Sequence, residues 1–446
     1  MRRIHSLRLL VGILLAILPL ASLSRTSPPS QGYLLVRGLD IVNAQGEPIR
    51  LIGMNLGWPK YITYELQLPS EIEDNQGDLQ RNVLDKYLSA KQSTSFFPLL
   101  ESKFITPVDF RHVKEMGFNL VRADFSWRDF DRTVSGIPEP YYFLDKVILP
   151  NARKNGLYVQ ICIFAGDDLR PLFYVDTPQA SAFRAEFVNR WREIANRYRN
   201  DKTVAIYDLV NEPNSDWKES SIRNYNQLFY DTILAIRSVD RNHLIALEPD
   251  HWAAPMPDGG NLRILTQPHL LNNTVDPAHK IIWDYHTYKR GDFAAGDGIA
   301  ATQSAWTAIR KLQMKYDTPI QVGEIGAHWG ETPWLKASLD IFDKYGWSWS
   351  YWTLKEIHPG YFSPYFLVPW DADKESGGWG YYDLARDLQT AYQNKAMPRK
   401  WTEGRFERAM DQLDTNVGVE GKGWLTWDAL REIFKRYVPS ATRSVE

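Results

Sequence analysis

Two glutamates are set apart by their surroundings. The stretch Tyr207-Asp-Leu-Val-Asn211-Glu212-Pro213 and the stretch Gln321-Val-Gly-Glu324-Ile-Gly326 each place one glutamate where an apolar, β-rich run ends. A pair of carboxylates converging over one cleft is the minimum equipment for glycoside hydrolysis, one as proton donor to the leaving oxygen and one as nucleophile. Asn-Glu-Pro alone is a weak signal. It gains force only if both runs are strands that end on the same rim, so the elements that carry them decide the reading.

Eight β-rich runs punctuate the chain: Leu51–Gly57, Asn119–Phe125, Leu157–Phe164, Val204–Val210, Leu244–Glu248, Ile281–Tyr288, Ile320–Glu324 and Gly346–Leu354. Each is trailed by a helix-compatible segment, and the runs lack clean alternation, as parallel strands buried on both faces do. Eight such units predict an α/β fold, a (β/α)8 TIM barrel, whose fourth and seventh strands lie opposite each other and whose post-strand loops share one catalytic face. No G-x-G-x-x-G or Walker sequence points to a nucleotide-binding sheet instead.

Around the barrel, Tyr33–Arg50 alternates about Asn43-Ala-Gln-Gly46 and predicts an N-terminal hairpin. The polar segment Trp58–Glu101, with a short helix expected at Leu79–Leu88, is a long insertion after the first strand and should overhang the catalytic face. Trp58, Tyr61 and Tyr64 at its start either stack on a sugar or aglycone or anchor the loop. Thr177-Pro178 opens a helix to Arg199 whose Phe183, Phe187, Trp191 and Ala195 form one barrel-packing face. The expected organisation is a signal peptide at 1–24, a catalytic barrel at 25–400 and a C-terminal helix–loop–helix extension at 401–446. In that extension Arg405–Leu413 and Thr426–Tyr437 flank Gly418–Gly423 with the outline of an EF-hand. Gly418, Glu420, Lys422 and Ala429 would fall at ligand positions that require acids or amides, so a packing role is expected there.

Composition narrows the partners. Against 54 Asp and Glu stand 52 Lys and Arg, a formal charge of −2 over 446 residues, which offers nucleic acid no electrostatic footprint. The 17 Trp and 23 Tyr suit a sugar-binding cleft, although any one of them serves equally in a core. Arg2, Arg3 and Arg8 precede the apolar run Leu9–Leu20, and small residues follow to Ser24, the pattern of a secretory signal peptide and of a secreted or periplasmic protein. That run is too short for stable membrane insertion. The one cysteine, Cys162, lies in an apolar run and is expected to be a buried strand residue, so stability must come from the core rather than from a disulfide. Nine histidines show no H-x-H or H-E-x-x-H spacing, and neither a metal nor a cofactor is expected.

From about Arg37 to Asp383 the chain resembles a family 5 glycoside hydrolase, the cellulase-like group of the retaining (β/α)8 glycosidases. Val36-Arg-Gly-Leu-Asp-Ile-Val-Asn-Ala-Gln-Gly-Glu-Pro-Ile-Arg-Leu-Ile-Gly-Met-Asn55 is similar to the family's N-terminal stretch, and Met116-Gly-Phe-Asn-Leu-Val-Arg122 to its second strand. The resemblance implies that Arg122 sits beneath the nucleophile, that Asn211 contacts the sugar 2-hydroxyl, that Glu212 is the acid/base and that Glu324 is the nucleophile. It also matches His286 and Tyr288, in Asp284-Tyr-His-Thr-Tyr288, to the sixth-strand pair and Trp352 to the eighth-strand sugar platform. One departure stands out: Ile163-Phe-Ala-Gly-Asp167-Asp168 lacks the histidine usual near the end of the third strand. Asp167 or Asp168 takes over a hydroxyl contact, or the two are a solvated loop pair.

The roles have a physical basis of their own. Glu324 must be ionised to attack, so Arg122 and the Tyr288 hydroxyl should lower its pKa. Glu212 must hold a proton, so the neighbouring negative charge should raise its pKa until Glu324 is glycosylated. The expected activity is hydrolysis of β-glucan, β-mannan or related β-glycosides by double displacement. Transglycosylation on the same fold and a catalytically silent carbohydrate-binding barrel stand as alternatives, the latter disfavoured by the presence of both glutamates.

Overall fold

The computed structural model describes residues 32–57, 80–166, 168–256, 275–289, 298–328, 330–356, 364–367, 380–414, 424–426 and 428–438. The expected leader at 1–24, the aromatic start of the insertion with Trp58, Tyr61 and Tyr64, Asp167 and the loop 418–423 lie outside these residues.

Eight parallel strands close into a barrel: β1 (Ile52–Asn55), β2 (Leu120–Ser126), β3 (Tyr158–Phe164), β4 (Val204–Asp208), β5 (Leu244–Leu247), β6 (Ile281–Tyr288), β7 (Ile320–Gly326) and β8 (Ser348–Tyr351). Each pairs with its neighbour in sequence, and β8 returns to β1 with Trp349 opposite Ile52 and Tyr351 opposite Met54. All eight expected runs are strands, and nearly every residue in them is buried. Their outward side chains pack under helices. The helix Pro178–Tyr198 starts as anticipated, with the Thr177 side chain accepting the Ala180 N–H at 3.1 Å and Pro178 in the first turn, where its missing N–H costs nothing. It buries Phe183, Phe187, Trp191 and Ala195, and Trp191 Nε1 donates to Leu209 O at 3.0 Å, which ties the helix to the chain leaving β4.

The N-terminal hairpin pairs Leu35–Arg37 with Asp40–Val42. One reversal falls at Gly38, in a left-handed conformation at φ 60°, and another at the expected Asn43–Gly46, where Val42 bridges Pro48 in antiparallel fashion and the Ile49 N–H donates to Ile41 O at 2.9 Å. The later stretch forms a second turn, because Asn43 Oδ1 accepts the N–H groups of Gln45 and Glu47 at 3.0 and 2.9 Å. Leu34, Ile41 and Ile49 from this region pack with Leu51, Leu120, Tyr158, Leu244 and Ile282 at the strand starts, so the hairpin plugs the end of the barrel away from the strand C-termini.

The insertion is more helical than its composition suggested. A short helical stretch over Gln80–Tyr87 leads to a helix at Ala90–Phe104. Ser89 opens the second helix with a capping box, its hydroxyl accepting the Gln92 N–H while Gln92 Oε1 accepts the Ser89 N–H. Pro98 and four hydroxyl residues disguised this helix in the sequence. Its partner is the helix Glu403–Asp411: Lys91 pairs with Glu407 at 2.9 Å, Lys103 with Asp411 at 3.0 Å, and the Phe96 and Phe406 rings meet at 6.4 Å. The final helix, Asp428–Tyr437, lies directly on the barrel. Its Phe434 ring sits 5.2 Å from Phe118, 6.0 Å from Trp349 and 5.0 Å from Tyr351. Phe434 is fully buried, so Phe434→Ala is expected to destabilise the whole barrel by about 3–5 kcal/mol. Denaturant unfolding followed by tryptophan fluorescence checks this; a variant as stable as the wild type would place the helix outside the cooperative unit.

Candidate active site

The buried guanidinium of Arg122, on β2, is where the strand ends meet. Its Nη1 lies 2.8 Å from Glu324 Oε1 and 3.1 Å from Asn55 Oδ1, and its Nη2 lies 2.8 Å from Asn211 Oδ1, 3.0 Å from Asp208 Oδ2 and 3.2 Å from Glu248 Oε1. Asp124 adds a further carboxylate at 2.8 Å. Asn55 is itself fixed, since its Nδ2 donates to Gly323 O at 2.9 Å and Tyr351 O at 3.2 Å. One planar donor fork thus orients groups from β1, β2, β4, β5 and β7, which the point charge of a lysine could not do.

Above it stand the two glutamates. Glu324 is held on both oxygens, by Arg122 on Oε1 and by the Tyr288 hydroxyl on Oε2 at 2.6 Å. Glu212 meets His286, with Oε1 3.0 Å from Nδ1, and the same nitrogen lies 3.5 Å from Glu324 Oε2. A carboxylate oxygen from each glutamate and a ring nitrogen of His286 all fall within 4.8 Å of one another. Exposure separates the pair: the Glu212 side chain is 24% accessible and that of Glu324 only 7%. Burial pushes the Glu324 carboxyl above the ordinary glutamate range; His286 and Arg122 pull it down, and the Glu212 charge adds to the rise. The expectation that Arg122 and Tyr288 would leave Glu324 with a lowered pKa is therefore corrected, because removing water from a carboxylate outweighs even two good donors. Burial also brings His286 down to about 4, so its ring is neutral above that pH.

The local backbone explains the motifs. Gly323 has no room for a side chain: a Cβ there would lie 2.5 Å from the Asp284 carboxylate, which accepts the Gly323 N–H. A Cβ on Gly326 would meet the Tyr288 ring at 2.7 Å and the Trp352 carbonyl at 3.0 Å, so the chain packs against the ring that holds Glu324. Trp352, partly exposed, follows β8 and donates its N–H to Ile325 O at 2.9 Å. Glu212 is left-handed at φ 49°, and Trp217, His251, Trp252 and Ala253 nearby are left-handed as well. Such non-glycine strain concentrates where surrounding structure over-determines it. Here the Glu212 N–H is held by Glu248 Oε2 at 2.7 Å and the Trp252 N–H by Pro213 O at 2.9 Å.

The structure thus brings Arg122, Asn211, Glu212, His286, Tyr288 and Glu324 together, with Trp352 beside Gly326. Asp168 is exposed and paired with Arg128, and Asp167 is outside the described residues. Glu212, His286 and Glu324 are close enough to share a cation, but the guanidinium and hydroxyl donors already aimed at Glu324 oppose one. The same holds for Cys162, Asp208 and Glu248, among which Arg122 Nη2 inserts. The Cys162 thiol lies buried 3.2 Å from that nitrogen, as part of the polar interior, and burial holds it well above its usual pKa.

With this geometry in place the chain can be set beside known proteins. The family model described as Cellulase (glycosyl hydrolase family 5) matches residues 89–357. The chain belongs to this family. A β-xylosidase of Phanerodontia chrysosporium is 24% identical over 360 residues, which cover 73% of this chain and 71% of that protein. An endoglucanase of Paenibacillus polymyxa is 26% identical over 300 residues, 54% of this chain and 67% of the relative. Among solved structures, endoglucanase Cel5A from Thermotoga maritima superposes with a TM-score of 0.47 at 22% identity, covering 65% of this chain and 90% of its own. As a family 5 member the protein is a glycoside hydrolase on a (β/α)8 barrel, with a carbohydrate as its substrate.

Sequence reasoning missed the layer beneath the two glutamates: Asn55, Asp124, Gln160, Asp208, Glu248, Asp284 and Gln321. Gln160 Nε2 bridges Asp208 Oδ2 and Asp284 Oδ2, each at 2.9 Å, and Gln321 donates to Gln160 Oε1. The signal was present, since the apolar strand runs carry polar residues, among them Asp124, Gln160, Asp208, Asp284 and Gln321, at positions that alternation turns into the barrel. Burial and the Asp208 charge push the Asp284 carboxyl up to about 8. An acid whose folded pKa is raised binds a proton in the native state that the unfolded chain has released, so its stabilisation is full below about pH 4 and is lost as pH rises toward 8. Asp284→Asn should therefore lessen the fall of unfolding free energy across that window by up to about 1.4 kcal/mol per pH unit, the value for one proton. Urea unfolding of both proteins at pH 5, 6, 7 and 8 measures it; parallel slopes would contradict the assignment.

Proposed function

We propose that the protein is an exported, retaining β-glycosidase in which Glu324 is the nucleophile and Glu212 the acid/base. The observation that carries this is the close approach of the two carboxylates, within 4.8 Å, near the ~5–5.5 Å of retaining enzymes and well short of the ~6.5–9.5 Å that an inverting enzyme needs for an intervening water. The assignment within the pair follows from their surroundings. A protonated Glu324 would displace a donor from one of its oxygens, whereas Glu212 faces a neutral imidazole nitrogen and solvent.

In the first step a Glu324 oxygen attacks the anomeric carbon as the bond to the glycosidic oxygen breaks and Glu212 delivers its proton to that oxygen. In the second, Glu212 takes a proton from the water that attacks the same carbon, and the Glu324 carboxylate leaves onto the waiting Arg122 and Tyr288 donors. Asn211, whose Oδ1 is occupied by Arg122, offers its amide N–H groups to the sugar 2-hydroxyl, and Trp352 supplies the stacking face. Substrates are β-linked glucans, mannans or related glycosides. A relative named a β-xylosidase and another named an endoglucanase support pyranosides of this kind. Export rests on the leader read at 1–24.

Proton NMR of the first-formed product on a panel of β-glycosides should show the β-anomer. Glu324→Ala should be inactive on every substrate. Glu212→Ala should lose about 10²–10⁴-fold on alkyl glycosides, retain much more activity on dinitrophenyl glycosides and recover turnover with azide as the β-glycosyl azide. An α-anomer, or equal losses on both leaving groups in Glu212→Ala, would overturn the mechanism.

A further inference from the structure

Glu248, immediately after β5, is a third carboxylate that the double displacement does not use. It is fully buried, and its two oxygens face different parts of the site. Oε2 accepts the Glu212 N–H at 2.7 Å; Oε1 lies 3.2 Å from Arg122 Nη2 and 3.4 Å from His286 Nε2. That imidazole nitrogen is buried and has no hydrogen-bond partner within normal reach, while the other ring nitrogen is 3.0 Å from Glu212 Oε1. The imidazole therefore lies between two carboxyl groups, Glu248 inside the barrel and Glu212 at its mouth.

We propose that Glu248, His286 and Glu212 form a proton relay in which Glu248 is the internal proton store of the acid/base. The proposal rests on the reading of Glu212 as acid/base. A neutral imidazole carries one N–H, and whichever nitrogen bears it leaves the other facing its carboxyl as an acceptor. In the resting arrangement Glu248 is a carboxylic acid whose O–H points at Nε2, and Nδ1–H donates to the Glu212 carboxylate. Moving the Glu248 proton to Nε2 while the Nδ1 proton passes to Glu212 Oε1 leaves the ring neutral, Glu248 ionised and Glu212 the acid. Two protons move, net charge is conserved and no further reactant enters. The reverse shift stores the proton that Glu212 takes from the attacking water.

The surroundings favour Glu248 as the resting site. Burial and the charges of Asp208 and Asp284 push its carboxyl well above the ordinary range, against Arg122 and the Glu212 N–H, while Glu212 is partly solvated. The ring itself faces Glu212, Glu248 and Glu324, with Arg122 and Asp208 acting at longer range, and burial keeps it neutral.

Glu248→Gln tests the relay. The amide preserves the shape and can still accept the Glu212 N–H, but its NH2 has no proton to give and holds the ring in its Nδ1–H form, which favours Glu212 as an anion. On alkyl β-glycosides kcat/KM should fall about 10²-fold or more, dinitrophenyl glycosides should be nearly spared, and the alkaline limb of the alkyl profile should move to lower pH. Equal losses on both leaving groups with unmoved limbs would show a merely structural role and overturn the relay. Glu212→Ala is assayed alongside. If it too fails to discriminate leaving groups, the acid/base reading falls; if it discriminates and Glu248→Gln does not, only the relay falls. Should Glu248→Gln not fold, the 15N imidazole signals of wild-type His286 decide: a neutral ring protonated at Nδ1 supports the store, and an Nε2–H ring or an imidazolium in the resting enzyme overturns it.

Discussion

The Arg122 guanidinium is the constraint on which the rest of the site depends. Four carboxylates, those of Asp124, Asp208, Glu248 and Glu324, lie within ion-pair distance of this one buried cation. Taking each ion out of water costs several kcal/mol, and a single positive charge cannot compensate four negative ones. Burial and the crowding of like charge accordingly push the carboxyls of Asp124, Glu248 and Asp284 upward. A protein selected for stability alone would fill this space with aliphatic side chains. The polar interior is instead organised so that one fork fixes the positions of Glu324, Asn211 and Asn55 at once.

That arrangement is destabilising in itself, and the fold offsets it with apolar burial on every side. The N-terminal hairpin seals one end of the barrel with Leu34, Ile41 and Ile49. Far along the chain, Phe434 of the last helix covers Phe118, Trp349 and Tyr351 on the outer surface of β8 and beside β2. Cys162, the one cysteine of the chain, is committed to the polar interior. Backbone strain is placed with equal economy: of the nine non-glycine left-handed residues described, Glu212, Trp217, His251, Trp252 and Ala253 fall on the rim that carries Glu212. Strain there aims Glu212 away from the β4 direction and toward His286.

The strands and the glutamate pair were legible in the sequence for one reason. Eight apolar runs without clean alternation leave little freedom of topology, and glutamates placed where the fourth and seventh of them end must share one rim. Asp208, Asp284 and Gln160 were not legible because a lone polar residue inside an apolar run looks like an interruption until the barrel turns every second side chain inward. The helix Ala90–Phe104 was hidden by Pro98, although Ser89-Ala-Lys-Gln92 carried a capping box. The direction of the Glu324 shift was missed for a different reason: motif matching supplies the donors around a carboxyl but not the water removed from it, and at a side chain 7% accessible the second effect is the larger.

This last difference bears on how the proposed double displacement divides work between the two glutamates. As the proposed nucleophile, an ionised Glu324 stripped of water and held by two fixed donors is less stabilised than the same carboxylate in solution, yet it would need no solvent rearrangement to react, because Arg122 and Tyr288 are already placed for its departure. The proposed acid/base, Glu212, needs the opposite environment, a proton that can leave and return. Glu212 has it through partial exposure and through His286, whose ring is neutral and so can accept on one nitrogen while it donates from the other. Arg122 reaches Glu324 directly but meets the Glu212 side only through Glu248 and Asn211. The asymmetry between two chemically identical side chains thus begins with which of them the guanidinium touches.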